Sequence, residues 1–304
     1  MIVRITLALL FVIPAAMAYP WDTPASRWLL GIAVAVVVVL FAWWRGMFVT
    51  DMIGRRIAML RRRGRVAGSH RSTEYATVAL RVEPREADDL PLEVPAGYVD
   101  RYGIRFDKVR VTSRDVAGER TTWVSLTLGA ADNLAALTAR SPRIPLQDTV
   151  ELAGRRLADQ LREMGWEVSP DPEPAVVLPE PVKESWRAVA DSRGHVAAYR
   201  IAVDDHLADT LEAVRGLDAT EVWSAVEITG TRTSHQLAAA CAVRTQDRPS
   251  AGAPISGLTP ERGNHGPALT AMHPRSDKRL AAPATSSHGG VDLDWSTGAA
   301  LSRT

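Results

Sequence analysis

Two charge-free apolar runs stand back to back at the start of the chain, Ile5 to Trp21 and Trp28 to Trp44, joined by the short link Asp22 to Arg27. Arginines follow at once: Arg45, Arg55, Arg56, Arg61, Arg62, Arg63 and Arg65. As a helix each run rises about 25 Å, the short end of what crosses a hydrocarbon core of about 30 Å. Arg4 and Arg45 can lengthen the spans by extending their stems to water. The pattern predicts a two-helix transmembrane hairpin at 1–50, with spans at about 4–21 and 28–49. Trp21, Trp28, Trp43 and Trp44 sit at the span ends, where indole bridges apolar and wet zones, and are candidate membrane-interface residues. One arginine in the link against seven after the second run places both termini in the cytoplasm and the chain in the inner membrane. A rival reading takes Met1 to Ala18 as a secretory signal ending in Ala16-Met17-Ala18. The second run then acts as a stop-transfer segment and the remainder keeps the same location.

Charge is unevenly shared. The first 65 residues hold nine arginines against two acids, a net of +7, and the rest carries −6 within an overall +1. The cluster Arg55, Arg56, Arg61, Arg62, Arg63 and Arg65 therefore lies beside the predicted spans, where anionic lipid headgroups attract it. The acidic remainder argues against nucleic acid as a partner. Cys241 is the single cysteine, so no disulfide forms within the chain; in an alanine-rich apolar run it reads as a buried, inert thiol.

A basic juxtamembrane helix and linker are expected at 51–70, and a cytoplasmic α+β domain at 71–248. Tyr75 to Val82 reads as a strand, and Gly103 to Thr112 and Thr121 to Leu128 show the period-two alternation of half-buried strands. Leu146, Val150, Leu157, Leu161 and Met164 recur at helical spacing, with Gly165 just past the end. Residues 169–181, rich in proline and acid, form a stiff connector. A hairpin about Asp191 to His195, a helix from His206 to Arg215 and strands at 221–228 and 236–245 follow, although the alanines of the last also permit helix. The order suggests a sheet with helices on one face. From 249 to 304 the chain is dense in glycine, proline and serine. It reads as a partly disordered extension, with a helical turn or two at His265 to Met272.

No catalytic constellation emerges. Asp204 and Asp205, with His206, follow a strand and open a helix, and are weak candidates for a metal or a nucleotide phosphate held through metal. Helix capping by the same aspartates explains them more simply. Asp292 and Asp294 have the spacing of a sugar-nucleotide motif but lack a surrounding core. Zinc spacing, a P-loop and a nucleophile elbow are absent from the sequence. Trp123, Trp166, Trp186 and Trp223 read as core, with an interface role as the alternative. No cofactor is expected, and the chain reads as a non-enzyme.

The arrangement Tyr19-Pro20-Trp21 at the hairpin turn, Arg27 to Ala33 opening the second run and Ile53 to Arg63 at its exit resembles the start of the EccE family. Gly257 to Arg275 is similar to that family's C-terminal region. EccE is a component of actinobacterial type VII (ESX) secretion systems, and the likeness is greatest to the paralogue of the system linked with iron and zinc acquisition. The resemblance implies a non-catalytic structural subunit supporting protein export, with EccB, the ATPase EccC and EccD, and membrane lipids, as partners. It also implies a glycosyltransferase-like fold for the cytoplasmic domain. A membrane-tethered glycosyltransferase or nucleotide-sugar-binding domain, using Asp204 and Asp205, is the alternative.

Overall fold

The computed structural model describes residues 2–20, 23–41, 43–44, 47–62, 73–84, 89–139, 141, 144–178, 182–281, 285–287 and 293–297. The chain divides into two compact units, Met1–Arg63 and Gly64–Thr304.

In the first unit, helices α1 (Ile2–Met17) and α2 (Pro24–Phe41) pack on one another, with Ala15 and Ala33 buried. Strands β1 (Trp43–Trp44) and β2 (Met47–Phe48) pair antiparallel, and helix α3 (Val49–Arg62) follows. This overturns the expected two-span hairpin, and with it the inner-membrane location that rested on it. Among the described residues no helix is long and apolar enough to cross a membrane. The reason is length. Helix α1 rises about 24 Å, and α2 spends its first turn on Pro24 to Arg27, leaving an apolar run of about 21 Å against a core of about 30 Å. The expected extension of the second helix to Val49 is taken instead by the β1–β2 pair.

The second unit is built on a large sheet. Its elements are β3 (Tyr75–Pro84), β4 (Leu90–Pro91), α4 (Glu93–Ala96), β5 (Asp100–Arg101), β6 (Ile104–Val116), β7 (Glu119–Gly129), α5 (Leu134–Thr138), α6 (Leu146–Glu163) and β8 (Trp166–Pro170). There follow β9 (Lys183–Glu184), β10 (Val189–Asp191), β11 (Gly194–Ile201), α7 (Leu207–Arg215), β12 (Glu221–Thr231), β13 (Ser234–Thr245), β14 (Leu258–Pro260), α8 (His265–Met272), β15 (Thr285–Ser287) and β16 (Asp294–Trp295). The sheet runs β8-β3-β7-β6-β12-β13-β11-β10-β9, with β14, β15 and β5 added beside β11, β13 and β6. Around the central pair β6–β12 the order is mirrored: each half has a lone strand, then a hairpin whose second strand returns to lie beside the first.

Every pairing in this sheet is antiparallel. That corrects the glycosyltransferase-like fold, with its mixed α/β sheet, which the resemblance implied for the α+β domain. Nucleotide-binding folds of the doubly wound kind centre on a parallel sheet whose crossovers place helices on both faces. Here the long strands are joined largely by tight hairpins, which only antiparallel neighbours permit.

Helices α6 and α7 pack on one face. The helical period of α6 turns Val150, Ala153, Leu157 and Leu161 inward, against Leu80, Val82, Val124 and Leu126 of the sheet. Burying one such leucine contributes about 1.5–3 kcal/mol. Gly154 allows the close approach: a Cβ there would stand 2.9 Å from Val78 Cγ1. Gly165, at φ +92°, ends the turn in a conformation that suits glycine. Helix α7 adds Leu207, Leu211 and Val214.

The other face is covered by Asp171 to Leu178, by α8 and by the strap that β14 opens, residues 258–281. The glycine- and serine-dense tail also contributes to the core. Strand β16 pairs with β4, and Trp295 is buried with its Nε1 donating to Ser113 Oγ at 2.8 Å.

Candidate functional site

Antiparallel register decides which side chains share a face. On the covered face it sets Lys108, Arg110 and Glu227 on the central strands β6 and β12. Near the other end of these strands it sets Arg114 and Glu221, with Arg244 opposite Glu221 on β13. Lys108, Arg110, Glu221, Glu227 and Arg244 are all buried. The sheet therefore carries a charged layer where strand alternation alone predicts solvent.

Arg110 is the hub. Its Nε and Nη2 donate to Glu227 Oε2, at 3.2 and 2.5 Å. Nη1 donates to the carbonyls of Ala271 and His273, and Nη2 also to that of Lys278. Glu227 Oε2 in turn accepts the Leu280 N–H at 3.2 Å. Lys108 Nζ donates to the Lys278 carbonyl. Burial, and after it the Arg110 charge, pushes the Lys108 amine down to about 6. A neutral buried lysine is a possible nucleophile in chemical terms, but this one is 1% exposed and bonded to the strap.

A second cluster sits at the far end of the same face. Arg244 grips Asp191 with Nη1, at 2.7 and 2.8 Å, and reaches Glu221 Oε2 with Nε at 2.7 Å. Its Nη2 donates to the Val177 carbonyl at 2.9 Å. Arg114 Nε and Trp223 Nε1 both donate to Glu221 Oε1. Burial alone would raise the Glu221 carboxyl, but the hydrogen bonds from Arg114 and Arg244 outweigh it and hold the group below the usual range. Between the clusters Trp123 and Trp223 stack at 5.8 Å, and Trp123 Nε1 donates to Asp171 Oδ2 at 2.8 Å. His265 Nδ1 accepts the Ala198 N–H. The layer thus pins both covering segments, Asp171 to Leu178 and the strap, by their backbone groups.

The residues singled out by sequence lie elsewhere. Asp204 and Asp205 are exposed in the turn before α7. Asp204 Oδ1 accepts the His206 N–H at 3.0 Å, and the helix cap itself is His206, which makes no side-chain cap bond. Among the described residues no group of three His, Cys, Asp or Glu converges in a way that could hold a metal. Trp28 is exposed on α2, and Trp43 and Trp44 form β1. Arg55, Arg56, Arg61 and Arg62 share α3. Trp21, Arg63, Arg65 and Asp292 lie outside the described residues. Cys241 is buried on β13, and burial pushes its thiol up, away from the reactive thiolate. Trp123, Trp166 and Trp223 are core, and Trp186 is half-buried.

Sequence reasoning missed the charged layer. One signal was available: Arg110 and Glu227 stand at matching depths in two strands of strong apolar alternation, where opposite charges can pair across a sheet.

Residues 116–201 match the family described as type VII ESX secretion system translocon, EccE. The chain is 53% identical over 280 residues to the ESX-3 secretion system protein EccE3 of Mycolicibacterium smegmatis, covering 92% of this chain and 90% of that one. It is 50% identical over 287 residues to the protein of the same name from Mycobacterium tuberculosis, covering 91% and 86%.

Proposed function

The chain belongs to the EccE family, and from that membership we propose that it is a non-catalytic structural subunit of a type VII (ESX) secretion complex, of the ESX-3 paralogue. The observation that carries the reading is identity of about half the residues, along nine-tenths of the chain, to relatives named as components of that system. Such coverage spans the whole fold and not one shared module. The charged layer agrees with it. Its carboxylates and guanidinium groups are spent on one another and on backbone carbonyls, which fastens covering segments to a sheet.

In this reading the chain works by presenting surfaces to other subunits, EccB, EccC and EccD. Helices α1 and α2 expose Leu10, Ile13, Met17, Trp28, Ile32 and Val34. Exposed apolar side chains on these two helices support a contact site, suited to apolar helices of a partner subunit. The test is co-isolation. The tagged chain, recovered from cells lacking the untagged copy, is expected to bring down EccB, EccC and EccD in constant ratio, and its loss to stop export through the system. Recovery of the chain alone, with export intact after its deletion, overturns the proposal.

A further inference from the structure

Strand β3 is bonded along its length to β7, from Tyr75 to Val82. On its other side β8 covers only Leu80 to Pro84, and the last bond is Asp171 N–H to the Ala79 carbonyl at 2.9 Å. Along a strand, alternate residues turn both backbone groups to the same side. Ala79 faces the β8 side, so Thr77 and Tyr75 do as well. Among the described residues nothing pairs with them there.

This bare edge forms the floor of a trough. One cavity of about 450 Å³ runs along Thr77 to Leu80, and a second of about 670 Å³ along Thr73 to Thr77. The two share Thr77, Gln147, Pro172 and Arg275, so they join end to end. Helix α6 forms one wall, and Pro170 to Val176 the other. Bare edges are ordinarily blunted or covered because they recruit strands; among the described residues this one is left at the bottom of the trough.

We propose that the trough between α6 and Pro170–Val176 binds an extended segment of another protein, which adds to the sheet as a strand beside Tyr75 to Ala79. Main-chain bonds to Thr77 and Tyr75 supply affinity, and the walls supply specificity. Pairing with the β3 edge of a second copy is disfavoured, because that edge is recessed between the same two walls. The lining states the chemistry of the segment. Tyr75, Ile144 and Val176 are exposed, and all line the wider cavity, so that end takes apolar side chains. Arg155 projects from α6 into the narrower one. The acids beside it are engaged: Glu151 by Gln147, and Asp171 by Trp123 Nε1 and the Glu173 N–H. Arg162 is tied to Asp159 and the Val168 carbonyl, and Arg275 to the Pro172 carbonyl. Glu173 and Asp277 line the wider end and oppose an acidic side chain there, which leaves Arg155, in the narrower cavity, as the favoured place for one. A strand continuing the direction of β8 runs from Ala79 toward Tyr75. The segment therefore reads acidic first, then alternating apolar toward its C-terminus. The inference stands on the sheet edge alone and does not rest on the secretion reading.

The test is selection of a displayed library of random octapeptides on the full chain, with counter-selection on Arg155→Glu. Enriched peptides are expected to carry an acidic residue ahead of alternating apolar ones. They should bind Arg155→Glu about fivefold more weakly, the scale of one exposed ion pair, and a Lys-for-acid peptide should recover the loss. Binding should slow hydrogen exchange of the Tyr75 and Thr77 amides. No enrichment, or enriched peptides that leave those amides exchanging freely, overturns the proposal. Self-association of the chain that protects the same amides overturns the choice of occupant.

Discussion

The two faces of the central sheet solve burial in opposite ways. Under α6 and α7 the sheet presents Leu80, Val111, Val124, Leu126 and Val226, and packing there is apolar and non-directional. Under the strap it presents Lys108, Arg110 and Glu227, and attachment is made by directed bonds to named carbonyls. An apolar face tolerates repacking. A buried ionic face does not, because removing one partner leaves the other charged and dry. The charged face therefore fixes the path of residues 271–280 more sharply than apolar contact would.

That contrast can be broken most forcefully at Arg110. Arg110→Met strands Glu227 and frees the strap carbonyls of Ala271 and His273, and should cost about 3–5 kcal/mol in urea unfolding. Replacing Glu227 by Leu as well should recover part of the loss. A cost near zero for the single variant would remove the hub role. Leu157→Ala, on the apolar face, should cost about 3 kcal/mol through lost burial and a cavity. Exchange protection should then fall first around α6 and not along the strap.

Lys108 sharpens the comparison through pH. Its folded amine titrates near 6, against about 10.4 in an unfolded chain. Between those values the unfolded chain binds a proton that the folded one does not, so the penalty lifts, and stability rises, as pH increases. The rise is up to about 1.4 kcal/mol per pH unit. Lys108→Met should flatten it between pH 6.5 and 9; parallel curves for parent and variant would show that Lys108 is charged when folded. The smallest effect is expected at the exposed turn before α7. Asp204→Ala with Asp205→Ala should shift stability by about 0.5 kcal/mol or less, with no change in calorimetric response to manganese and a nucleotide sugar.

The strands that form the sheet were largely legible. Gly103 to Thr112 and Thr121 to Leu128 alternate, and β6 and β7 contain them except for Gly103, which stands just before β6. The helical period of Leu146 to Met164 and the stop at Gly165 give α6. The alanine run 236–245, open to either form, is a strand because β12 and β11 flank it on both sides. What alternation could not reveal is that the polar half of β6 and β12 is buried too. Period two reports two unlike faces, and only the covering segments, Asp171 to Leu178 and the strap, whose Ala271 lies 161 residues from Arg110 in sequence, make the second face interior. Apolar content misled at the other end. Ile5 to Trp21 and Trp28 to Trp44 have the hydropathy of spans, but Pro24 to Arg27 and the β1–β2 pair shorten the helices that form.

Glu227→Gln tests the central claim most directly, since it keeps the shape and an accepting oxygen of a deeply buried carboxylate while removing its charge. In cells whose only copy carries this change and holds it folded at parental level, export of an ESX-3 substrate should match the parent, because in the proposed reading the carboxylate fastens a strap and takes no part in chemistry. Export abolished by a variant that is folded, present at parental level and still bound to its partner subunits would contradict the account.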